Sequence, residues 1–269
     1  QNPVVDDHKF KQELLMHFFH VPHISFISHA NDKEALWTCP QQIAKKKLAF
    51  LFRNWDPNTA QLHLAAQDIA KFESFRRFLY FEKVKSVDLY REFPNFDGLA
   101  ELLLKVNTFR IFESSKFPDF QQEFANIEEL QIHQCWDALD DLQCLKAFPE
   151  LKRLKIWRSN LQSVEGIQFC TKLETVSIIN NKVKNIQPMI NCQNIQFLNL
   201  DHNLIKDISV IPKLKQLSHL QVRTNRIQSL QCLRGIDLEG FMFDSNYIHN
   251  LDELEVLMQM PTLCDTDEE

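Results

Sequence analysis

LKRLKIWRSNLQSVEGIQFC (151–170), LETVSIINNKVKNIQPMINC (173–192), IQFLNLDHNLIKDISVIPKL (195–214), LSHLQVRTNRIQSLQCLRGI (217–236) and LEGFMFDSNYIHNLDELEVL (238–257) are five versions of one pattern. They start at Leu151, Leu173, Ile195, Leu217 and Leu238, in steps of 22, 22, 22 and 21 residues. Numbered from the first residue of each unit, apolar side chains recur at positions 1, 4, 6, 11, 14, 17 and 20, as in Ile195, Leu198, Leu200, Ile205, Ile208, Ile211 and Leu214.

The period changes within the unit. Positions 4 and 6 alternate as in a strand, whereas 11, 14, 17 and 20 step by three, which fits a tight 3₁₀-like or short helical return. A single turn of such a coil cannot enclose its own apolar face, so each unit is stable only when stacked on its neighbours. Position 9 holds Asn181, Asn203, Asn225 and Asn246, with Ser159 in the first unit. An amide has two donors and one acceptor, enough to satisfy backbone groups left unpaired where the strand turns inward. These asparagines are expected to be buried and structural.

With Asn at 9 and Ile, Leu or Val at 11 and 14, the 22-residue unit resembles the SDS22-like class of leucine-rich repeats. The resemblance implies an α/β fold: a right-handed solenoid with a concave parallel sheet and a convex side of 3₁₀ or short-helix returns. It also implies a mostly intracellular, non-enzymatic binding role.

Composition narrows the function classes. The 269 residues are 44% hydrophobic, enough for a substantial core, and the net charge of −6 with an acidic end argues against a nucleic-acid partner. No apolar run is long enough to span a membrane, and the start lacks the basic and apolar parts of a secretory signal. The seven cysteines are an odd number without paired clusters, and there is no Asn-x-Ser/Thr acceptor. A reducing setting follows, cytoplasmic first and nuclear second. Cys170 and Cys192 occupy position 20 and read as small core hydrophobes.

Upstream, residues 6–20 have Phe10, Leu14 and Phe18 on one helical stripe, fit to cap an open solenoid end. ISFIS (24–28) and LAFLFR (48–53) read as strands, and a β-hairpin is expected over 48–65. The repeat frame re-enters at Thr59, with Leu62 and Leu64 at positions 4 and 6, and continues in degenerate units from Val84, Val106 and Ile127. The expected division is an α/β N-terminal cap at 1–58, irregular repeats at 59–150, five regular repeats at 151–260 and an acidic tail at 261–269.

The same frame singles out a surface, because positions 3, 5, 7 and 8 should leave the concave side of the sheet free of core duty. Bulky Tyr90, Phe112, Trp157 and Ile179 stand at position 7, where polar groups would be easier to expose, and Arg91, Arg110, Lys155 and Arg158 flank them. Aromatics and arginine are enriched in binding hot spots. With Asp201 and Arg223 further along position 7, these ten residues are the candidate partner-binding set, and the cations imply a partner that supplies carboxylates. Trp157 is the expected anchor.

No catalytic motif appears: a Gly-rich phosphate loop, GxSxG, HExxH and paired CxxC are all absent. His17, His20 and His23 with Cys39 lack the two tight ligand pairs of a zinc signature, and Pro22 ends the helix before His23, so no metal or cofactor is expected. The expectation is a monomeric, non-enzymatic scaffold or adaptor. Narrower alternatives are a regulatory subunit of a Ser/Thr phosphatase, by analogy of repeat class, and a ubiquitin-ligase adaptor docking through QELLMHFFHVP.

Overall fold

The computed structural model describes residues 23–27, 55–56, 61–65, 85–90, 100, 103–136 and 138–260. The chain divides into two compact units, Gln1–Arg110 and Ile111–Glu269. In the first, β1 (His23–Ile27), β2 (Trp55–Asp56), β3 (Gln61–Ala65) and β4 (Ser86–Tyr90) lie in the order β4-β1-β3-β2. β1 is parallel to both neighbours, with Ile24 opposite Leu62 on one side and Val87 on the other. β2 pairs antiparallel with β3, Trp55 opposite Leu62, inside the span of the expected hairpin.

This order differs from a coil passing directly from the Thr59 unit to the Val84 unit, because β1 stands between their strands. HISFI, QLHLA and SVDLY carry comparable alternation, which fixes the face a strand buries but not which strand lies beside it. The helix expected over 6–20, the strand at 48–53 and the tail from 261 fall outside the described residues.

β5 (Thr108–Phe112) carries the division between the units. Beyond it the regular pattern folds as its spacing dictates. β6 (Glu129–His133), β7 (Arg153–Trp157), β8 (Thr175–Ile179), β9 (Phe197–Asn199), β10 (His219–Gln221) and β11 (Gly240–Met242) form a parallel sheet in chain order. Position 4 forms one continuous file, Leu130, Leu154, Val176, Leu198, Leu220 and Phe241, each opposite the next and all buried. Burying one such side chain contributes about 1.5–3 kcal/mol, which is why stacking, not any single unit, holds the array.

The step-of-three stretches are 3₁₀ turns at Gln143–Ala147, Ile167–Phe169, Gln187–Asn191, Ile211–Lys213, Gln231–Leu233 and Leu251–Gln259. Pro188 and Pro212 sit in first turns, where a missing N–H costs no helical hydrogen bond. In the two units before the regular ones, phenylalanine fills the return side: Phe124 stacks on Phe148 with centroids 5.9 Å apart, and Phe120 packs edge-on to Phe124 at 4.9 Å.

Gly166 has φ 108°, and a Cβ there would lie 2.2 Å from both the carbonyl carbon and oxygen of Leu142. The backbone approaches this closely because Leu142 N–H donates to Glu165 O at 2.7 Å. In the return of the last unit the apolar positions 11, 14, 17 and 20 are not buried, and Leu251 is 79% exposed.

Candidate protein-interaction surface

In β6, β7 and β8 burial alternates as period two requires: positions 4 and 6 are buried while 3, 5 and 7 are not. From β5 onward each strand is followed by a left-handed residue at position 8: Glu113, Gln134, Arg158, Asn180, His202, Thr224 and Ser245 have φ between 49° and 58°. None is glycine, so no residue type announces this conformation in the sequence. The turn sends position 9 into the interior.

There the side chains satisfy the backbone as their chemistry predicts. Asn203 donates Nδ2 to Ile178 O (2.7 Å) and Leu200 O (3.0 Å) and accepts from Val183 N–H (3.1 Å). Asn181, Asn225 and Asn246 repeat the arrangement one unit apart. Ser159 substitutes with a hydroxyl, accepting from Cys135 N–H at 3.3 Å and donating to Trp157 O at 3.1 Å. Cys135, at position 9 of its own unit, donates its thiol to His133 O at 3.3 Å. These bonds fix where each strand ends, and so where position 7 points.

At position 7, His133 lies opposite Trp157, and Trp157 opposite Ile179. Phe112 stacks on His133 with ring centroids 5.0 Å apart and planes 24° apart, and His133 meets Trp157 edge-on at 6.0 Å. The Arg158 guanidinium covers the indole at 4.6 Å from the ring centre. Phe112, Trp157 and Ile179 are half-buried, while Lys155 and Arg158 are exposed. His133 is absent from the ten candidates, although it stands in the same row; it joins the two aromatic candidates into one stack and meets Gln131 Oε1 through Nε2 at 3.1 Å.

The other candidates divide. Asp201 is buried, and its carboxylate accepts from Arg223 N–H at 2.7 Å and from the Arg223 guanidinium at 2.8 and 2.9 Å, so these two residues satisfy each other. Arg110 and Tyr90 belong to the first unit, where Arg110 lies 3.5 Å from Asp88. Arg91 is outside the described residues. Elsewhere on the sheet Arg153 pairs with Glu129 at 3.2 Å and Lys152 with Glu128 at 2.9 Å, the latter bond holding the Glu128 carboxyl below its ordinary value. Lys155 and Arg158 form no ion pair with the described residues. Trp136, two residues beyond the position-8 turn, is 54% exposed; its degenerate unit hides it from the frame.

The five described cysteines are free, and Cys170 and Cys192 are buried as expected. Loss of solvation pushes the thiols of Cys170 up to about 12 and of Cys192 and Cys135 up to about 11, so they are inert neutral groups. Among the described residues no group of His, Cys, Asp and Glu is placed to hold a metal ion, and no helix is long and apolar enough to cross a membrane. QELLMHFFHVP and most of the histidine cluster lie outside them.

No family model matches the sequence, and no curated protein matches it. Solved structures do. An internalin from Listeria monocytogenes is 18% identical with a TM-score of 0.54, over 68% of this chain and 60% of its own. A leucine-rich-repeat protein from Leptospira interrogans is 19% identical with a TM-score of 0.58, over 67% of this chain and 48% of its own. TLR13, in a complex with ssRNA13, is 14% identical with a TM-score of 0.55, over 67% of this chain and 28% of its own. The chain thus spans under two thirds of each of these proteins. Parallel strands in chain order, 3₁₀ returns, the asparagine file and this structural similarity together give the chain the leucine-rich-repeat fold.

Proposed function

We propose that this chain is a non-catalytic scaffold or adaptor that takes a protein partner on the outward face of β6, β7 and β8. The observation that carries the reading is the row Phe112, His133, Trp157 and Ile179, which places rings and an aliphatic side chain at a strand position left out of the core. Half-buried aromatics on a rigid sheet bind at low entropic cost, because their rotamers are already restricted by their neighbours. Lys155 and Arg158 beside them favour a partner that brings carboxylates to the rim, with the apolar row as anchor. The free cysteines support a reducing compartment, cytoplasmic or nuclear.

Affinity capture from native extract followed by crosslinking mass spectrometry tests this. The wild-type chain should recover a partner crosslinked at Lys155. Trp157→Ala should lose that partner while keeping the wild-type urea-unfolding cooperativity. Undiminished capture by a folded Trp157→Ala variant defeats the assignment.

A further inference from the structure

After the left-handed turn at position 8 and the inward residue at 9, the chain runs extended, and its alternation sends 10 and 12 outward on either side of a buried 11. Lys182 and Lys184 are exposed around buried Val183, Lys206 follows buried Ile205, and exposed Arg226 precedes buried Ile227. The units are locked together here: Lys182 N–H donates to Leu161 O (2.8 Å), Leu204 N–H to Val183 O (2.9 Å) and Arg226 N–H to Ile205 O (2.8 Å). Neighbouring units therefore follow at the roughly 4.8 Å spacing of adjacent strands, and the four cations share one margin, beyond the strand ends.

These cations stand without salt-bridge partners among the described residues. Positions 8, 10 and 12 of the units starting at 151, 173, 195 and 217 hold no carboxylate. Asp207, next to Lys206 in sequence, accepts from Ser209 N–H (2.8 Å) and Gln187 Nε2 (3.4 Å). At the other end of the strands the cations are paired instead, Lys152 with Glu128, Arg153 with Glu129 and Lys172 with Glu150. Lys182, Lys184, Lys206 and Arg226 form no ion pair with any described residue, in a chain of net charge −6. Such a row attracts a negatively charged partner and sets its direction across the units.

We propose that this margin is a second docking surface, which holds an extended acidic segment of a partner protein running across the units. A single-stranded nucleic acid fits it less well, because the same twelve positions, three in each of four units, present no Phe, Tyr or Trp on which bases could stack. The surface stands on side chains other than those of the aromatic row, so the two readings fail separately.

Fluorescence anisotropy with a labelled poly-L-glutamate peptide tests it at low and physiological salt, with an oligouridine of equal charge as the competing ligand. The peptide should bind, weaken with salt, and lose about tenfold in affinity to Lys182→Glu/Arg226→Glu. Lys213→Glu/Lys215→Glu, an equal change of net charge on exposed residues of the 3₁₀ side, should leave binding near wild type, as should Trp157→Ala. Lys182→Gln/Arg226→Gln gives the same comparison without adding acidic groups, should the reversal unfold the chain. Absence of peptide binding, equal loss in the two charge-reversed variants, loss in Trp157→Ala, or tighter binding of the oligouridine overturns the proposal.

Discussion

The guanidinium carbon of Arg158 lies 4.6 Å from the centre of the Trp157 ring, on a residue held at φ 49°. The left-handed turn folds the cation back over the indole that precedes it, so the aromatic surface and its charge are set by one local conformation. Because Trp157 is half-buried on the face of the sheet, Trp157→Ala should cost about 1–2 kcal/mol, whereas emptying the core position Leu198 by Leu198→Ala should cost ~2–5 kcal/mol. Urea unfolding of the two variants checks this. Equal losses would place Trp157 in the core.

The amide of Asn203 serves four buried backbone groups, Val183 N–H and the carbonyls of Ile178, Leu200 and Asp201. Asn203→Ala strands Val183 N–H and the carbonyl of Ile178, each a buried group whose desolvation costs about 1–3 kcal/mol, while the Leu200 carbonyl keeps its bond from Asn225 Nδ2 at 2.9 Å. Asn203→Ser should recover part of the loss, since Ser159 fills the same role with a hydroxyl one file position away from Asn181. The expected order of urea midpoints is wild type, Asn203→Ser, Asn203→Ala. A serine variant no more stable than alanine would remove the argument that these bonds, rather than side-chain volume, hold the turn.

What is legible in the sequence follows from this division of labour. The asparagine file and the buried positions are readable because repetition averages out local accident: Leu154, Val176, Leu198 and Leu220 mark the same place four times. The row at position 7 is readable for the same reason, since Trp157 and Ile179 depart from what an exposed position needs. Three things are not. Position 8 hides its left-handed turn under Arg, Asn, His, Thr and Ser, because the inward pull of position 9 imposes it. The pairing of Asp201 with Arg223, which occupies two candidate binding residues, depends on adjacent units and is invisible within either. The place of β1 between β3 and β4 depends on the order of strands, which alternation does not encode.

Two glycines separate steric from conformational cost. Gly235 has φ 80°, and a Cβ added to it would meet nothing within 4 Å, so Gly235→Ala should cost only the left-handed penalty of about 1–2 kcal/mol. Gly166→Ala adds a 2.2 Å collision with the Leu142 backbone and should cost at least twice as much, or abolish folding of the unit. Thermal unfolding of both variants decides. Similar melting temperatures would mean that the Leu142 backbone yields.

The buried thiols give an alkaline limit. Burial raises the folded-state values of Cys170 to about 12 and of Cys192 to about 11, from an ordinary 9.0. The unfolded chain therefore loses these protons first as pH rises, so their stabilising share is complete below pH 9 and declines from there toward pH 11–12. The urea midpoint should fall more steeply above pH 9 in the wild type than in Cys170→Ala/Cys192→Ala, although the variant starts lower because it has lost core volume. Parallel pH profiles would show that these thiols titrate alike in both states.

Thr224 is the least comfortable member of the position-8 series. It is β-branched yet holds φ 52°, a region that crowds its Cβ branches, while Asn180 holds φ 57° at the equivalent place with a residue type that tolerates it. Its side chain is exposed, so replacement removes no buried contact. Thr224→Asn should therefore stabilise the chain by about 0.5–1 kcal/mol through relief of backbone strain. Thr224→Gly should gain less, since glycine relieves the same strain but loses more conformational freedom on folding. A higher urea midpoint for asparagine than for glycine, with both above wild type, is the expected result. A loss in both variants would mean that the turn is selected by what Thr224 contacts rather than merely tolerated, and the inward pull of Asn225 would no longer suffice to explain it.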